Sequence, residues 1–221
     1  EAGHVVWHRD IMDVDLTRGE WLILARTNHI ANKISTELKE QGYLFWREGS
    51  GWSISPNVLT GIEVWLRLCK NQKLSAKELK TLSTLLKSDI VTKSGRKKLA
   101  TLDSETTYTL EDVKENFSTS VSAESPWHSV LKVSERERIY ITSVRRMGEK
   151  ILTDKPRIKI STIHKAKGGE ADNVALLLDS SRACAESPDQ DGEVRTFYVG
   201  LTRAKKALHL IESHSQYGFK I

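Results

Sequence analysis

Two hydrophobic patterns alternate along this chain. At Trp21-Leu22-Ile23-Leu24-Ala25 and again at Val174-Ala175-Leu176-Leu177-Leu178 the apolar residues are contiguous, over lengths that fit strands covered on both faces. At Ile158-Lys159-Ile160-Ser161 they alternate, which predicts a strand with one wet face. Residues 43–46 and 207–211 read as further strands. Between these runs the spacing turns helical. Ile30, Ile34 and Leu38 share one face of a helix over 28–41, with Asn28 as cap and Gly42 as stop. Leu59, Ile62, Trp65, Leu66 and Cys69 share a face of a second helix, opened by Ser55 and Pro56.

From residue 70 to 150 the pattern is mainly helical. Ser75-Ala76-Lys77-Glu78 is a capping box, with Leu74 and Leu79 placed as a hydrophobic staple, and Leu79, Leu82, Leu85 and Leu86 follow on one face. Ser134-Glu135-Arg136-Glu137 opens another helix carrying Ile139, Tyr140, Val144 and Met147, ended by Gly148. Short helices are expected at 110–117 and 126–132. The run Lys93 to Lys98 reads as a basic turn, either a phosphate grip or a solvated loop. Pro156 then stops any helix before the strand at Ile158. Strands and helices alternate on either side of this segment, so the prediction is one α/β domain over 1–69 and 151–221 with a mainly helical insertion over 70–150. Residues 180–192 read as a loop and 193–202 as a helix. No internal repeat is evident.

Composition narrows the class without naming it. The 221 residues are 38% hydrophobic and 29% charged, ordinary for a globular protein with a substantial core. No apolar run approaches the roughly 18 residues of a membrane span. The chain opens on Glu1-Ala2-Gly3-His4, neither a methionine nor an apolar leader, and is expected to be a piece of a longer protein without a signal peptide. Cys69 and Cys184 sit at no metal-ligand spacing, so they read as reduced thiols, no metal site is expected, and the expected compartment is cytoplasmic. A net charge of +5 permits a nucleic-acid partner.

The candidate chemistry lies where the strand at 158 ends. Thr162, His164, Lys165, Lys167, Gly168, Gly169 and Glu170 form a polar loop at a strand's carboxyl end, where open α/β sheets bind ligands. Thr162-Ile163-His164-Lys165-Ala166-Lys167-Gly168-Gly169-Glu170 resembles motif V of the UvrD/Rep-type superfamily 1 DNA helicases. Arg195-Thr196-Phe197-Tyr198-Val199-Gly200-Leu201-Thr202-Arg203-Ala204 resembles their motif VI, and Leu24-Ala25-Arg26-Thr27-Asn28 their motif IV. The family often has Leu where Gly169 stands.

That resemblance implies a RecA-like, P-loop-NTPase-type parallel sheet flanked by helices, the second half (domain 2A) of a helicase, with a small 2B-like insertion. It implies that Arg26 and Arg203 are catalytic, binding the γ-phosphate of ATP as planar cationic forks. Glu170 would meet the ribose, Gly169 would let backbone approach the nucleotide, and Thr162 and His164 would touch the DNA backbone. Tyr198 is expected to pack its helix rather than meet a ligand. No G-x-x-x-x-G-K-[ST] and no Walker B acidic pair occur, so the chain lacks its own P-loop, and the ligands for Mg²⁺ would lie elsewhere. ATP and Mg²⁺ are thus expected only in a complete protein, which would move 3′→5′. The partners implied are single-stranded DNA or a duplex/single-strand junction and an N-terminal RecA-like half; no membrane is implied. Alone, the chain is expected to hydrolyse no ATP. Two other readings remain open: a stand-alone nucleic-acid-binding or adaptor module, and a protein-interaction module docking through its insertion. Trp46 and Trp52, flanking the turn at Gly49-Ser50-Gly51, either pack or stack on bases.

Overall fold

A computed structural model describes residues 3–117, 121–149, 156–166 and 168–221. In chain order the elements are β1 (His4–His8), a 3₁₀ turn (Ile11–Asp13), β2 (Trp21–Ala25), α1 (Asn28–Glu40), β3 (Trp46–Arg47), β4 (Gly51–Trp52), α2 (Pro56–Cys69) and β5 (Leu74–Ser75). There follow α3 (Ala76–Leu85), α4 (Lys93–Ala100), β6 (Thr107–Tyr108), α5 (Leu110–Phe117), α6 (Trp127–Val130) and α7 (Glu135–Arg146). The chain ends with β7 (Ile158–Thr162), β8 (Ala171–Leu177), α8 (Arg182–Ala185), α9 (Gln190–Leu201) and β9 (Ala204–Ile211). It divides into two compact units, one of residues 1–53 and 142–221, the other of residues 54–141.

The first unit is built on a seven-stranded sheet of order β1-β9-β8-β2-β7-β3-β4, parallel except for the β3–β4 hairpin. β2 lies inside it, between β7 and β8, and every one of its residues is buried. Because successive side chains of a strand point to opposite faces, the contiguous apolar run divides cleanly. Trp21, Ile23 and Ala25 join Ile158, Ile160 and Ala175 and meet Ile34 and Leu38 of α1. Leu22 and Leu24 join Val174, Leu176 and Leu210 under Phe197 of α9. Each face therefore acquires a helical cover, as a parallel sheet requires.

Several sequence expectations shift. Strand β1 was not legible: Val5, Val6 and Trp7 are exposed, and the strand is held at the sheet edge by its pairing with β9. Strands β8 and β9 start three residues before their apolar runs, at Ala171 and Ala204. Thr27, rather than Asn28, caps α1, its side chain accepting from the Ile30 amide. The stop at Gly42 is as expected: φ is 82°, and Tyr43 N–H donates to Leu38 O (2.9 Å) while Gly42 N–H donates to Lys39 O (3.0 Å). That is a Schellman ending, which needs the left-handed conformation glycine supplies. Ser161, expected on the wet face of its strand, is 7% exposed, whereas Lys159 is solvated. Helix α9 begins at Gln190, three residues ahead of its expected start, capped by Asp189, and the preceding stretch read as a loop contains α8.

The second unit starts at residue 54 and so takes in α2, which the sequence reading had joined to the sheet; the apolar face of α2 packs on α3. The capping box of α3 is present, Ser75 and Glu78 bonding each other's backbone amides. The basic run at 93–98 is helix rather than turn, capped by Thr92. Arg96 in it donates to the carbonyls of Ser83 (3.3 Å), Leu86 (2.9 Å) and Lys87 (3.2 Å), satisfying the open end of α3. A two-stranded ribbon, β5 with β6, completes the unit.

Two measurements test this packing. Ile160 is fully buried in the first-face cluster, so Ile160→Ala should lower the stability of the first unit by about 2–5 kcal/mol in urea titrations. On the β1/β9 side, His8 Nε2 and His209 Nδ1 are 2.9 Å apart, their rings stacked, with Trp21 tilted over His209. Burial, and then the neighbouring His8, push the His209 imidazole below its ordinary value of 6.5. The native state therefore binds fewer protons than the unfolded chain once pH falls below that value. Stability should decline as pH falls through about 6.5 and below, and His209→Phe should flatten that part of the profile.

Candidate functional site

The parallel strands β2, β7, β8 and β9 share two rims. Their carboxyl ends, at Ala25, Thr162, Leu177 and Ile211, form one; their amino ends, at Trp21, Ile158, Ala171 and Ala204, form the other. The sequence-predicted site residues are divided between them.

Arg26 leaves the carboxyl end of β2. Its guanidinium forms a fork with Glu193 in the first turn of α9, Nε donating to Oε2 (2.7 Å) and Nη2 to Oε1 (2.5 Å), with the two side chains 15% and 14% exposed. The hydrogen bond to Glu193 raises the Arg26 pKa above its ordinary value, burial acting the other way. A carboxylate in the first turn of a helix is favourably placed in itself. Arg26 thus pins the start of α9 and has its donors turned toward Glu193. Thr162, on the same rim, is buried, and its carbonyl accepts from the amides of Lys165 and Ala166, both at 3.0 Å. Ile163 N–H donates to Ala25 O (3.0 Å), which ties this turn to the end of β2. His164 and Lys165 are exposed beyond it.

From here the chain crosses β2 to reach β8. Ile163 and Ala166 are buried in the second-face cluster and act as the fasteners of this crossing. Lys167 lies outside the described residues. At Gly168 φ is +84°, a conformation that favours glycine, and Gly169 N–H closes the turn onto Ala166 O (2.9 Å). Glu170 then arrives, exposed, on the opposite rim. Lys205 Nζ lies 3.8 Å from its carboxylate, and Ala171 N–H donates to Arg203 O (3.2 Å). Arg203 is anchored by Nε to the Val199 carbonyl (2.9 Å) and by Nη2 to Thr202 Oγ1 (3.3 Å). Among the described residues no carboxylate pairs with Arg203. Tyr198, expected to pack, is 65% exposed; Phe197 beside it is the buried ring.

The structure therefore brings Gly169, Glu170 and Arg203 together at the amino rim, and Thr162, His164 and Arg26 at the carboxyl rim. The two arginines expected to act together are separated by the seven-residue height of β8, roughly 20 Å. One triphosphate terminus cannot lie against both within this unit. The loop does not stay at one rim, as the sequence reading supposed, but carries its two ends to different rims. Two participants escaped that reading: Glu193 as the partner of Arg26, and Lys205 beside Glu170. Neither pairing has a signal in spacing, since Arg26 and Glu193 are 167 residues apart. Among the described residues no group of three or more His, Cys, Asp or Glu side chains is placed to hold a metal ion, and no helix is long and apolar enough to cross a membrane.

The model of the UvrD-like helicase C-terminal domain matches residues 67–215, more than half of the chain, so the chain belongs to that family. It represents the C-terminal part of a superfamily 1 helicase, and its parallel sheet flanked by helices is the RecA-like fold expected for it. Thr162, His164, Glu170 and Arg203 fall inside the matched span; Arg26 falls before it. A search of curated proteins gives no match.

Two substitutions test the loop and the pin. Gly168→Ala should cost about 1–2 kcal/mol from backbone strain. Gly169→Leu, the family's frequent residue, should cost less than Gly168→Ala, because φ there is not positive, but not nothing, because its Cβ would press to 3.3 Å on the Ala166 carbonyl oxygen. Separately, Glu193→Ala strands a largely buried guanidinium and should cost about 1–3 kcal/mol in urea titrations.

Proposed function

We propose that this chain is the second RecA-like half of an ATP-dependent 3′→5′ DNA helicase, and that residues 54–141 are its small 2B-like insertion. In this reading the amino rim faces ATP held by an N-terminal RecA-like half. Arg203 meets the γ-phosphate, Glu170 accepts a hydrogen bond from the ribose, and the Gly169 backbone lies against the nucleotide. The carboxyl rim faces single-stranded DNA through Thr162 and His164. Mg²⁺ belongs to the partner half, and the polarity rests on family resemblance.

One observation carries the reading: a single segment, residues 163–170, has its ends on the two rims and is fastened across β2 between them. A change of contact at Glu170 and Arg203 is thereby coupled to the position of His164. Arg26 is assigned a positioning role, since its fork is occupied by Glu193 and it lies on the DNA-facing rim. Arg203 is thus the γ-phosphate arginine contributed by this unit.

DNA-stimulated ATP hydrolysis by this chain in its full reading frame, joined to the ATP-binding half, tests the proposal. Arg203→Ala should lower kcat by about 10³-fold, and Arg203→Lys should recover little, because an ammonium lacks the planar fork. Arg26→Ala should act mainly through stability. The 221-residue chain alone should turn over no ATP. Undiminished turnover in Arg203→Ala would sink the assignment, and a nucleic-acid-binding module without ATP coupling would then be the better description.

A further inference from the structure

The β3–β4 hairpin is the part of the first unit that this division of labour leaves unused. Trp46 stands directly opposite Trp52 in the antiparallel pair, so both indoles project from the same side of the hairpin. In the parallel pairing with β7, Trp46 lies beside Lys159 and Arg47 beside Ile160. Ile160 belongs to the first-face core, and side chains alternate along a strand. Trp46, Trp52 and the solvated Lys159 therefore share the second face of the sheet, at its edge. Arg47, on the first face, donates to the Asn32 side chain and to the Asn28 carbonyl (3.3 Å), which holds the hairpin against α1.

Both tryptophans are only half-buried. Beside Trp52 opens a cavity of about 340 Å³ lined by Thr17, Leu44, Met147 and the Arg157–Glu149 ion pair. That volume is in the range of small-ligand sites. At the other end, the hairpin tip meets the loop after β7: a Cβ on Gly49 would stand 3.3 Å from Lys165 Nζ. From the level of Lys159 to that of Thr162 is three residues of strand, a rise of about 10 Å, which a strand of a few nucleotides spans.

We propose that Trp46 and Trp52 form a stacking platform for the bases of a single-stranded nucleic acid whose phosphates run past His164, Lys165 and Lys159. The proposal rests on the DNA-facing role assigned to the carboxyl rim and extends it along the sheet edge. Stacking suits a translocating motor because every base presents a π-face, so grip is independent of sequence. The lysines flanking the rings neutralise the phosphates that accompany those bases. Glu48, exposed at the tip, opposes a phosphate there and leaves the backbone path to Lys165 and Lys159.

The 221-residue chain is titrated with labelled oligothymidylate and with an abasic oligomer carrying the same number of phosphates, following anisotropy and indole fluorescence. Thymidylate should bind more tightly than the abasic oligomer and quench the indole emission. Trp46→Leu and Trp52→Leu should each weaken thymidylate binding roughly 5- to 100-fold while leaving abasic binding unchanged, and Trp46→Phe should restore most of it. His164→Ala should weaken both oligomers and so reports on the underlying reading. If the parent protein binds both oligomers equally, the platform is overturned without recourse to any variant. If His164→Ala weakens binding but the tryptophan variants do not, the platform falls and the carboxyl-rim assignment stands. If the folded chain binds neither oligomer, both fall together.

Discussion

The first unit depends on the burial of β2. Five consecutive apolar residues in strand conformation can all be hidden only inside a sheet, with a strand on each edge and a cover on each face. β7 and β8 supply the edges, and α1 covers the face that carries Ile23. The other face is covered by α9 together with Ile163 and Ala166. Those last two residues belong to the connection between β7 and β8, which has to pass over β2 because β2 separates the strands it joins. The polar loop is thus made part of the core by the same constraint that buries the strand.

This crossing shapes what the site can do. A connection lying wholly at one rim would collect Thr162, His164, Glu170 and the arginines around a single ligand. A connection fastened across a strand divides them and couples its ends through packed side chains. The Arg26–Glu193 fork complements it by holding the start of α9 at the carboxyl rim while Arg203, just beyond the end of α9, stands at the amino rim. In the proposed motor, α9 and the buried residues Ile163 and Ala166 link the nucleotide and DNA faces. The tryptophan hairpin, adjoining Lys165, would lengthen the DNA face along the sheet edge.

Much of this was legible along the chain because it depends on local rules. Contiguous and alternating apolar runs identified β2, β7 and β8; the Ser75 capping box and Gly42 marked helix ends whose bonds are all within a few residues. Motif spacing pointed to the family now matched over residues 67–215. Strand β1 was missed because an exposed edge strand has no buried face to impose alternation, and its order comes from pairing with β9, some 200 residues away. Arg96 read as part of a solvated basic run because the carbonyls it caps belong to a different helix.

The sequence by itself determined most of the central strands and the longer helices, where many of them stop, and which polar residues gather near a strand end. These follow from side-chain periodicity, caps and glycine conformations that act within a few residues. Only the tertiary structure decided that Arg26 faces Glu193, that Gly168 rather than Gly169 carries the backbone constraint, and that Glu170 and Arg203 share a rim apart from Thr162 and His164. The reason is the sheet itself: β7 and β8 run parallel, so the loop joining them must return from the carboxyl rim to the amino rim, and because β2 lies between them it does so across β2.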